Sequence, residues 1–307
     1  INVKGISVIN VDSLTYSGNL LSLEEADHSD LYSFKKIDII DSEELRFVFG
    51  QEQPDAVMHL AAESSVDRSI EKSSEFIQSN IVGTYSLLEE TRHYLNQMSG
   101  LKREKFRFCH ISTDEVFGAL GPNDQMFDEE TKYNPSSPYS ASKASSDHLV
   151  RAWSHTYSLP VIISHCSNNY GCYQFHEKFI PSIILKSIRG ERIPIYGDGN
   201  QIRDWLHVSD HVKGLILLLE KGRVGETYMI GGNNEMTNNN VAELICEILE
   251  QLRSKKPNGV NQYSDLIQCI EDRPGHDFRY AVDIKKIQNE LGWQPQQKFE
   301  SGLRKTV

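Results

Sequence analysis

The sequence predicts an α/β protein built on a doubly wound parallel sheet. Its first half alternates short, β-branched apolar runs with segments of helical periodicity. The runs are apolar on both faces, which is typical of parallel strands that helices cover on each side. Because helices separate the successive strands, the doubly wound class is favoured over an antiparallel sheet.

Strands and helices are expected to alternate along this half of the chain. Asp41 suits a helix start, because a short polar side chain accepts hydrogen bonds from the free N–H groups of the first turn. Leu45, Val48 and Phe49 then form the apolar face of that helix. The other expected helices cover Glu75–Met98 and Tyr139–Tyr157. The expected strands are Ile6–Val11, Ala56–Ala62, Phe106–Ser112 and Val161–His165.

The character of the sequence changes after about Ser167. Polar, loop-like motifs appear there, namely SNNYG, GDGNQIRDW, IGGNNEMTN and EDRPGH. Between them we expect helices over Lys178–Arg189, Ser209–Glu220, Asn240–Leu252 and Asp283–Leu291. We therefore predict a first domain over residues 1–166. A smaller α/β lobe follows over residues 167–307, with some segments returning to the sheet and loops facing the first domain.

The composition excludes several classes of protein. With 307 residues, 38% of them hydrophobic, the chain is typical of a globular protein. No apolar run approaches the roughly 18 residues of a membrane span. The 32 basic and 43 acidic residues give a net charge of −11, which argues against a general nucleic-acid binder. The five cysteines are scattered and lack CxxC spacing, so we expect reduced thiols in a cytoplasmic protein.

Three strand ends point to a bound dinucleotide. Asp12 ends the first strand, where an acidic residue can bind both ribose hydroxyls of NAD and would repel a 2′-phosphate. Asp38 and Ile39 end the next strand, where the adenine edge would lie. Residues 59–62 (HLAA) end the third, where small side chains let the backbone approach the cofactor. Each feature alone is explained by a turn or by sheet packing, but three in register predict an NAD site.

Two further patterns suggest catalysis. Tyr139 and Lys143 are four residues apart, which places them on one helix face. A nearby ammonium stabilises a phenolate and lowers the pKa of tyrosine from about 10. Thr113, Asp114 and Glu115 directly follow a buried strand, and paired carboxyls in one cleft can hold different protonation states. Each pattern alone is common by chance, whereas the combination predicts an active site.

Other polar residues are less specific. Arg203, Lys178 and the segment Asp272–His276 bring positive charge to the second half, and arginine suits phosphate recognition. Surface salt bridges explain them equally well. His59 and His110 lie inside apolar strands, so we expect hydrogen-bonded core histidines. We predict no metal site, because no cluster of ligating residues converges.

One part of a dinucleotide fold is missing from this sequence. A strand and a glycine-rich turn should precede the acidic residue by about 20 residues, but Asp12 is too near residue 1 and no GxGxxG occurs elsewhere. We expect that the chain begins at the second strand of a Rossmann-like fold and is truncated at both ends. We also expect this exact polypeptide to bind NAD weakly or not at all and to be inactive, and the same chain extended by the missing amino-terminal unit to recover both.

With these motifs together, the sequence resembles the extended short-chain dehydrogenase/reductases. Within them it is most similar to the dehydratases of nucleotide sugars, especially those that act on dTDP-glucose. YxxxK identifies only the superfamily, whereas the Thr-Asp-Glu triplet separates dehydratases from sugar epimerases. The matching stretches span nearly the whole chain: VDSLTYSGN, HLAAESSVDRSI, NIVGTYSLLE, HISTDEVFG, PSSPYSASKASSDHLVRAW, CSNNYG, PIYGDGNQIRDWLHV and DRPGHDFRY.

The resemblance implies a set of site residues, NAD as cofactor and a homodimer paired through the long helices. The implied catalytic residues are Thr113, Asp114, Glu115, Tyr139 and Lys143. The implied cofactor contacts are Asp12, Ser13, Leu14, Thr15, Asp38, Ile39, Leu60, Ala61, Ala62, Glu63, Ser64, Ser79, Tyr139, Lys143 and Asn169. The implied contacts with the nucleotide sugar are Ser64, Thr113, Asn168, Lys178, Pro194, Ile195, Tyr196, Arg203, Asn238, Asp272, Arg273, Pro274, Gly275 and His276.

The resemblance also implies a division of labour in a net loss of water from the sugar. Tyr139 takes the proton of the C4 hydroxyl, while Lys143 lowers the pKa of Tyr139 and holds the nicotinamide ribose. Thr113 hydrogen-bonds the C4 oxygen. Glu115 removes the proton of C5, and Asp114 protonates the departing C6 hydroxyl.

Departures from the family pattern leave other functions open. Phe117 replaces a usual tyrosine, Ser79 a usual threonine, and Cys172 and His176 replace prolines. A nucleotide-sugar epimerase, or a dehydratase for another nucleotide, would share the fold. A non-catalytic nucleotide-binding paralogue is the alternative from a different class, although no catalytic residue is missing.

Overall fold

The computed structural model describes residues 4–307, in which strands and helices alternate. The strands are β1 (Val8–Asp12), β2 (Tyr32–Lys36), β3 (Ala56–His59), β4 (Arg107–Thr113), β5 (Val161–Cys166), β6 (Asn168–Tyr170), β7 (Ile193–Tyr196), β8 (Ile202–His207), β9 (Thr227–Ile230), β10 (Glu235–Thr237), β11 (Ile267–Ile270) and β12 (Arg279–Tyr280). The α-helices are α1 (Glu24–Asp27), α2 (Ser42–Glu52), α3 (Val66–Glu71), α4 (Ser73–Phe76), α5 (Thr84–Gln97), α6 (Gly100–Lys105), α7 (Pro138–Tyr157), α8 (Phe179–Arg189), α9 (Val208–Lys221), α10 (Asn238–Leu252), α11 (Lys285–Leu291) and α12 (Phe299–Thr306).

The described chain divides into two compact units. Unit 1 comprises the residues up to Ser112, Ser137–Ile163 and Arg223–Glu226. Unit 2 comprises Thr113–Ser136, Ser164–Gly222 and Thr227–Val307. Within residues 4–307, no helix has both the length and the apolar character that crossing a membrane requires.

Parallel pairing in unit 1 confirms the predicted fold class. Strand β1 pairs with β2, with Asp12 opposite Lys36, and β3 pairs with β4, with His59 opposite His110. The second of these sheets continues in the order β3-β4-β5, and the chain passes from unit 1 to unit 2 within β5. The core cluster of unit 1 combines helices α2, α5 and α7 with this sheet through Leu45, Phe49, Leu87, Leu88, Phe106, Phe108, Val150, Val161 and Ile163.

The helix starts follow the sequence signals. The Asp41 carboxylate accepts hydrogen bonds from the N–H groups of Glu43 and Glu44, both at 3.1 Å, so the predicted cap of α2 is confirmed. The apolar face predicted for α2 is buried. The predicted strand over Ala56–Ala62 is shorter in the structure and ends at His59, because Leu60 emerges from the sheet and is 55% exposed.

The long helix predicted over Glu75–Met98 is confirmed in extent, since Ser73–Gln97 is helical throughout. Its middle is unexpected: a π-helical segment, Ile77–Gly83, lies between α4 and α5. The wider turn of a π-helix shifts the side chains that follow it, and such segments are frequent at functional sites. Here it brings Asn80 into the interior and Gly83 against Ile39, where a Cβ would approach the Ile39 side chain to 2.7 Å.

Unit 2 is built around β8. Strands β6 and β12 pair with it in parallel and β10 pairs antiparallel, while β7 and β11 form a separate parallel pair. Helices α8, α10 and α12 cover these strands. Their apolar faces meet in a core that includes Ile180, Ile183, Trp205, Val241, Ile245, Phe299 and Leu303.

We predict that Leu88→Ala lowers the free energy of unfolding by about 3–5 kcal/mol, because the leucine is completely buried on α5 and its removal leaves a cavity. Leu101→Ala is the matched control, since Leu101 is 68% exposed on α6 and its truncation should cost less than about 0.5 kcal/mol. Urea unfolding followed by circular dichroism measures both. Equal losses in the two variants would contradict the described core.

Candidate functional site

The predicted site residues fall into both units. Unit 1 holds Asp12, Ser13, Leu14, Thr15, Asp38, Ile39, Leu60, Ala61, Ala62, Glu63, Ser64, Ser79, Tyr139 and Lys143. Unit 2 holds Thr113, Asp114, Glu115, Asn168, Asn169, Lys178, Pro194, Ile195, Tyr196, Arg203, Asn238 and the segment Asp272–His276.

A capping box positions Tyr139 at the start of α7. The Ser137 hydroxyl accepts from the Ser140 N–H at 3.1 Å, and the Ser140 hydroxyl accepts from the Ser137 N–H at 3.0 Å. Pro138, at the first helical position, has its φ already set for a helix. Tyr139 is therefore held in the first turn, 8% exposed, with its ring edge-on to Phe76 at 6.3 Å between centroids.

Lys143 lies one turn further along the same face of α7. The side chain is buried, 4% exposed, and its Nζ donates to the carbonyl of Ile111 on β4 at 2.8 Å. A buried ammonium keeps its charge only where acceptors replace water. The structure thus provides the Tyr and Lys pair that the spacing predicted, on one helix face.

The two aspartates at the ends of β1 and β2 shape the turns that follow them. Asp12 Oδ1 accepts from the Leu14 N–H at 2.6 Å, and Leu14 has a φ of 52° in the left-handed region. Asp38 Oδ1 accepts from the Ile40 N–H at 3.0 Å. Both aspartates are exposed, whereas the Ile39 side chain lies in the core of unit 1. A ligand at this edge would therefore meet carboxylates and backbone.

The loop after β3 is anchored by a residue that sequence reasoning missed. Asn80, in the π-helical segment, accepts from the Glu63 N–H at 2.9 Å and donates to the Glu63 carbonyl at 3.0 Å. Its amide also donates to the Ser142 hydroxyl on α7 at 2.8 Å. Asn80 therefore ties the predicted cofactor loop to the helix of Tyr139. The available signal was an asparagine inside an apolar helical pattern.

Thr113 organises the acidic triplet in unit 2. Its hydroxyl accepts from the Glu115 N–H at 3.3 Å and lies 3.2 Å from Asp114 Oδ1. Asp114 is 2% exposed, and its Oδ2 has no hydrogen-bond partner among residues 4–307. Burial raises the pKa of Asp114 well above its usual value, and the charges of Glu115 and Asp204 raise it further. The neutral, protonated form of Asp114 is favoured.

Glu115 has a different environment, although it is the next residue. Burial raises its pKa, but the charges of Arg203, Arg273 and Lys178 oppose that rise. The charge of Asp277 raises it further, so the pKa of Glu115 is raised, but less strongly than that of Asp114. Asp114 is therefore the carboxyl held more firmly in its protonated form, and this difference suits one acid and one base.

Arg203 is the most buried cation of this group, at 6% exposed. Its guanidinium donates to the backbone carbonyls of Ile202, Phe278 and Asp277 at 2.8, 3.3 and 3.0 Å. It also stacks over the Tyr280 ring, 4.3 Å from the centroid. Since these hydrogen bonds go to uncharged carbonyls, the cation keeps its positive field for an anionic ligand.

The segment Asp272–His276 is ordered by its own side chains. Asp272 Oδ1 accepts from His276 Nδ1 at 2.6 Å, and Oδ2 accepts from Gln201 Nε2 at 3.2 Å. Gly275, with a φ of 66°, makes the turn between them. His276 meets Tyr196 edge-on at 6.2 Å, which joins this segment to the predicted residues of β7. The Ile195 side chain is fully buried, so it leaves only Pro194 and Tyr196 exposed there.

Three predicted amide residues lie near strand or helix ends of unit 2. Asn169 Oδ1 accepts from His211 Nδ1 at 2.9 Å, and its amide donates to the Ser167 carbonyl at 3.0 Å. His211 was missed by sequence reasoning, and burial lowers its pKa to about 4, so it is neutral at physiological pH. Asn168 Oδ1 is buried without a partner among the described residues. Asn238 opens α10 and is 8% exposed.

The predicted core histidines are confirmed. His59 Nε2 is 2.9 Å from the Thr84 hydroxyl, and His110 Nε2 is 3.0 Å from Asp147 Oδ1. Phe117, which replaces the family's usual tyrosine, packs against Phe127, Tyr133 and His165 with ring centroids 4.9–5.3 Å apart. Over residues 4–307, no group of three or more His, Cys, Asp or Glu side chains is placed to hold a metal ion.

Comparison with known proteins identifies the relatives of the chain. Residues 2–306 match the family model described as GDP-mannose 4,6 dehydratase. The sequence is 60% identical over 301 residues to a dTDP-glucose 4,6-dehydratase of Neisseria meningitidis serogroup B, covering 98% of this chain and 85% of that protein. An Escherichia coli protein of the same name is 55% identical over 315 residues, covering 100% and 87%.

Solved structures agree with the sequence relatives. The dTDP-glucose 4,6-dehydratase of Streptomyces venezuelae, solved with NAD and dTDP bound, superposes with a TM-score of 0.88. It is 40% identical, and the match covers 99% of this chain and 87% of that one. The enzyme of that name from Bacillus anthracis, in complex with NAD, has a TM-score of 0.85 at 40% identity, over 99% and 88% of the two chains.

We predict that Asp114→Asn becomes increasingly stable relative to the natural chain as pH rises. A carboxyl whose folded pKa is raised stabilises the fold fully only below its unfolded pKa, about 4 for aspartate, and loses that contribution as pH rises through the folded pKa. The difference should grow by about 1.4 kcal/mol for each pH unit in that interval.

Urea unfolding between about pH 4 and about pH 8 measures this difference. Asp55→Asn is the matched control, because it removes the same charge from a side chain that is 89% exposed. A stability difference for Asp114→Asn that stays constant with pH would show that Asp114 is ionised in the folded protein.

Proposed function

Because the chain belongs to the family described as GDP-mannose 4,6-dehydratase, within the extended short-chain dehydrogenase/reductases, we propose that it converts dTDP-glucose to dTDP-4-keto-6-deoxyglucose. The observation that carries this function is the pair Asp114 and Glu115, whose surroundings separate their protonation states. Relatives at 55–60% identity carry the name of that enzyme. Since the net reaction is loss of water, the enzyme is an NAD-dependent hydro-lyase.

The residues of unit 1 fit NAD. Asp12 is an exposed carboxylate at the end of β1, suited to ribose hydroxyls, and Leu60 is a large apolar side chain left 55% exposed at the end of β3. Asn80 holds the intervening loop at Glu63 through two hydrogen bonds. Bound by these residues, NAD would supply the reversible hydride acceptance that oxidation at C4 and reduction at C6 require.

The chain's own residues handle the protons. Tyr139, as phenolate, takes the proton of the C4 hydroxyl, and Lys143 stabilises that phenolate. Thr113 donates a hydrogen bond to the C4 oxygen. The ketone formed at C4 acidifies the proton of C5, which Glu115 removes. Asp114 gives its proton to the C6 hydroxyl, which leaves as water. When C6 receives the hydride, Glu115 returns a proton to C5, so the net change is the loss of one water.

The cations of unit 2 support a nucleotide diphosphate as the substrate's anionic part. Arg203, Arg273 and Lys178 act together on the pKa of Glu115, so their fields converge in one region. Arginine recognises phosphate oxygens with a planar pair of donors. Tyr196, 37% exposed, adds an aromatic surface on which a base can stack, and the largely buried His276 ring contacts it edge-on at 6.2 Å.

We predict that turnover of dTDP-glucose in heavy water places solvent deuterium at C5 of the product and leaves no net NADH. The physical reason is that Glu115 holds the proton taken from C5, and that proton exchanges with solvent before C5 is protonated again. Mass spectrometry and NMR of the product measure the label. A product epimerised at C4 that keeps its C6 hydroxyl would contradict the proposal and identify an epimerase.

We predict that Glu115→Gln abolishes exchange at C5, because the base is gone, and lowers kcat by roughly 100-fold or more. Asp114→Asn should slow elimination while C4 oxidation continues, visible as transient NADH absorbance. Glu130→Gln, an exposed carboxyl of unit 2, is the control and should leave kcat unchanged. Small losses in both triplet variants would mean that the triplet only supports the loop.

We propose a homodimer that forms through the outer faces of α5 and α7. Tyr85 and Tyr157 are 47% and 45% exposed there, and Trp153 packs edge-on to both at 5.8 and 5.6 Å. Arg92 covers the Tyr157 ring at 4.8 Å. Half-exposed aromatic residues beside an arginine are typical of protein interfaces.

We predict that Tyr85→Glu shifts this dimer to monomer, because it places a charge in the apolar contact. Leu101→Glu introduces the same charge at a side chain of α6 that is 68% exposed and should leave the dimer intact. Size-exclusion chromatography with light scattering at micromolar protein measures both. A monomeric natural chain would reject the dimer.

A cytoplasmic location is also proposed. All five cysteines, Cys109, Cys166, Cys172, Cys246 and Cys269, are free thiols in the structure. Thiols persist unpaired in reducing compartments. Burial raises the pKa of Cys109 to about 12 and that of Cys246 to about 11, which keeps both unreactive.

A further inference from the structure

Helix α7 is joined to strand β4 at three successive residues of the strand. Lys143 Nζ donates to the Ile111 carbonyl at 2.8 Å. One turn further along the helix, Asp147 Oδ1 is 3.0 Å from His110 Nε2 and Asp147 Oδ2 accepts from the Ser112 hydroxyl at 2.9 Å. Side chains two apart on a strand point to the same face, so one carboxylate can bind both. We call these three contacts the α7–β4 clamp.

The clamp is excluded from water. Asp147 and His110 are 0% exposed and Ser112 is 3% exposed. A buried carboxylate is strongly destabilising unless donors replace its hydration, and each oxygen of Asp147 has one. A shift of α7 along β4 by one residue would remove both donors. The clamp therefore makes this register of α7 on β4 much more stable than a register shifted by one residue.

The register of α7 on β4 fixes the relative place of two functional segments, one on the helix and one on the strand. Tyr139, Lys143 and Asp147 are spaced four residues apart and lie along one face of α7. On β4, the residue after Ser112 is Thr113, the first of the acidic triplet. Tyr139 and Lys143 move together with α7, whereas the Ile111 carbonyl stays on β4. A displaced helix would therefore break the hydrogen bond that fixes the ammonium, and the Lys143 side chain could then leave its place one turn from Tyr139.

We propose that Asp147 is a positioning residue of the reaction: through His110 and Ser112 it sets the register of α7 on β4, and thereby the place of the Lys143 ammonium beside Tyr139. This inference rests on the proposed function. It assigns to Asp147 no contact with substrate or cofactor. Its effect acts through Lys143 and Tyr139 alone.

A further titratable group, His59 on β3, faces this cluster. Its ring is tilted by 41° to that of His110, with 5.2 Å between the centroids. Burial lowers the pKa of His59 well below its usual value, and the neighbouring His110 and Lys143 charges lower it further, so His59 is neutral. Its Nε2 is occupied by Thr84 of α5. Asp147 is thus the acidic partner in a cluster that otherwise holds two imidazoles and an ammonium.

The test compares Asp147→Leu, Asp147→Asn and Ser112→Ala with the natural protein, each in the complete enzyme. Leucine keeps the approximate volume but accepts no hydrogen bond. Asparagine keeps a carbonyl oxygen for His110 and can donate its amide to the Ser112 hydroxyl. Thr91→Val is the matched control, because Thr91 is also 0% exposed and its hydroxyl bonds within α5, to the Leu87 carbonyl at 2.7 Å.

The readout is the pH dependence of kcat with dTDP-glucose, together with KM and the melting temperature. For Asp147→Leu we expect kcat near neutral pH to fall roughly 10- to 100-fold with KM unchanged. The rising limb of the profile should move to higher pH, because a tyrosine without its ammonium returns toward a pKa of about 10. Asp147→Asn should restore most of the natural profile, and Ser112→Ala should lie between the two.

A merely structural role would lower kcat equally at every pH, through the folded fraction, and would leave the limb in place. That result overturns the inference, as does a limb that moves equally in Thr91→Val. If Asp147→Leu does not fold, the limb position in Ser112→Ala decides the question. If the natural enzyme does not convert dTDP-glucose, the proposed function itself is overturned. If it is active but the rising limb of the pH profile stays in place in the variants, only the positioning role of Asp147 is overturned.

Discussion

Polar side chains inside an apolar sheet impose the constraint on which this structure depends. Strands β4 and β5 are buried over nearly their whole length, yet they carry His110, Ser112 and His165. Each of these three side chains has a hydrogen-bond partner, and leaving one unpaired would cost about 1–3 kcal/mol. His110 and Ser112 find Asp147 on α7, and His165 finds the Tyr133 hydroxyl at 3.0 Å. These requirements position the surrounding segments more strictly than apolar packing does, because a hydrogen bond tolerates little displacement.

The same constraint separates two neighbouring carboxyls. Burial and a neighbouring acid raise the pKa of Asp114, whereas the cations of unit 2 oppose the rise that burial causes in the pKa of Glu115. Ordinary aspartate and glutamate differ little in pKa, so nothing intrinsic to the residues assigns one as acid and one as base. Burial and the neighbouring charges make that assignment. The proposed elimination needs both states at once, and this arrangement supplies them without a metal ligand set among the described residues.

Replacements that depart from the family pattern show which contacts the fold can change. Phe117 lacks a hydroxyl but fills its place among three aromatic rings and is 4% exposed. Cys172 and His176 stand at exposed positions of their loop, where the rigidity of a proline is not needed to fill a core. Ser79 lies in the π-helical segment next to Asn80, whose amide makes the contacts that hold the predicted cofactor loop.

Local patterns determined the order and type of most elements. Apolar runs, the Asp41 cap and the four-residue spacing of Tyr139 and Lys143 act over a few residues, so they could be interpreted from the sequence, and the parallel α/β class follows from them. The sequence did not predict the π-helical segment, the early end of β3, or the partners of Asn80, Asp147 and His211. Each of these depends on residues that are distant in the sequence. Likewise, the sequence contained both carboxyls of the triplet, but only tertiary structure decided their protonation, since desolvation and charge act through space rather than along the chain.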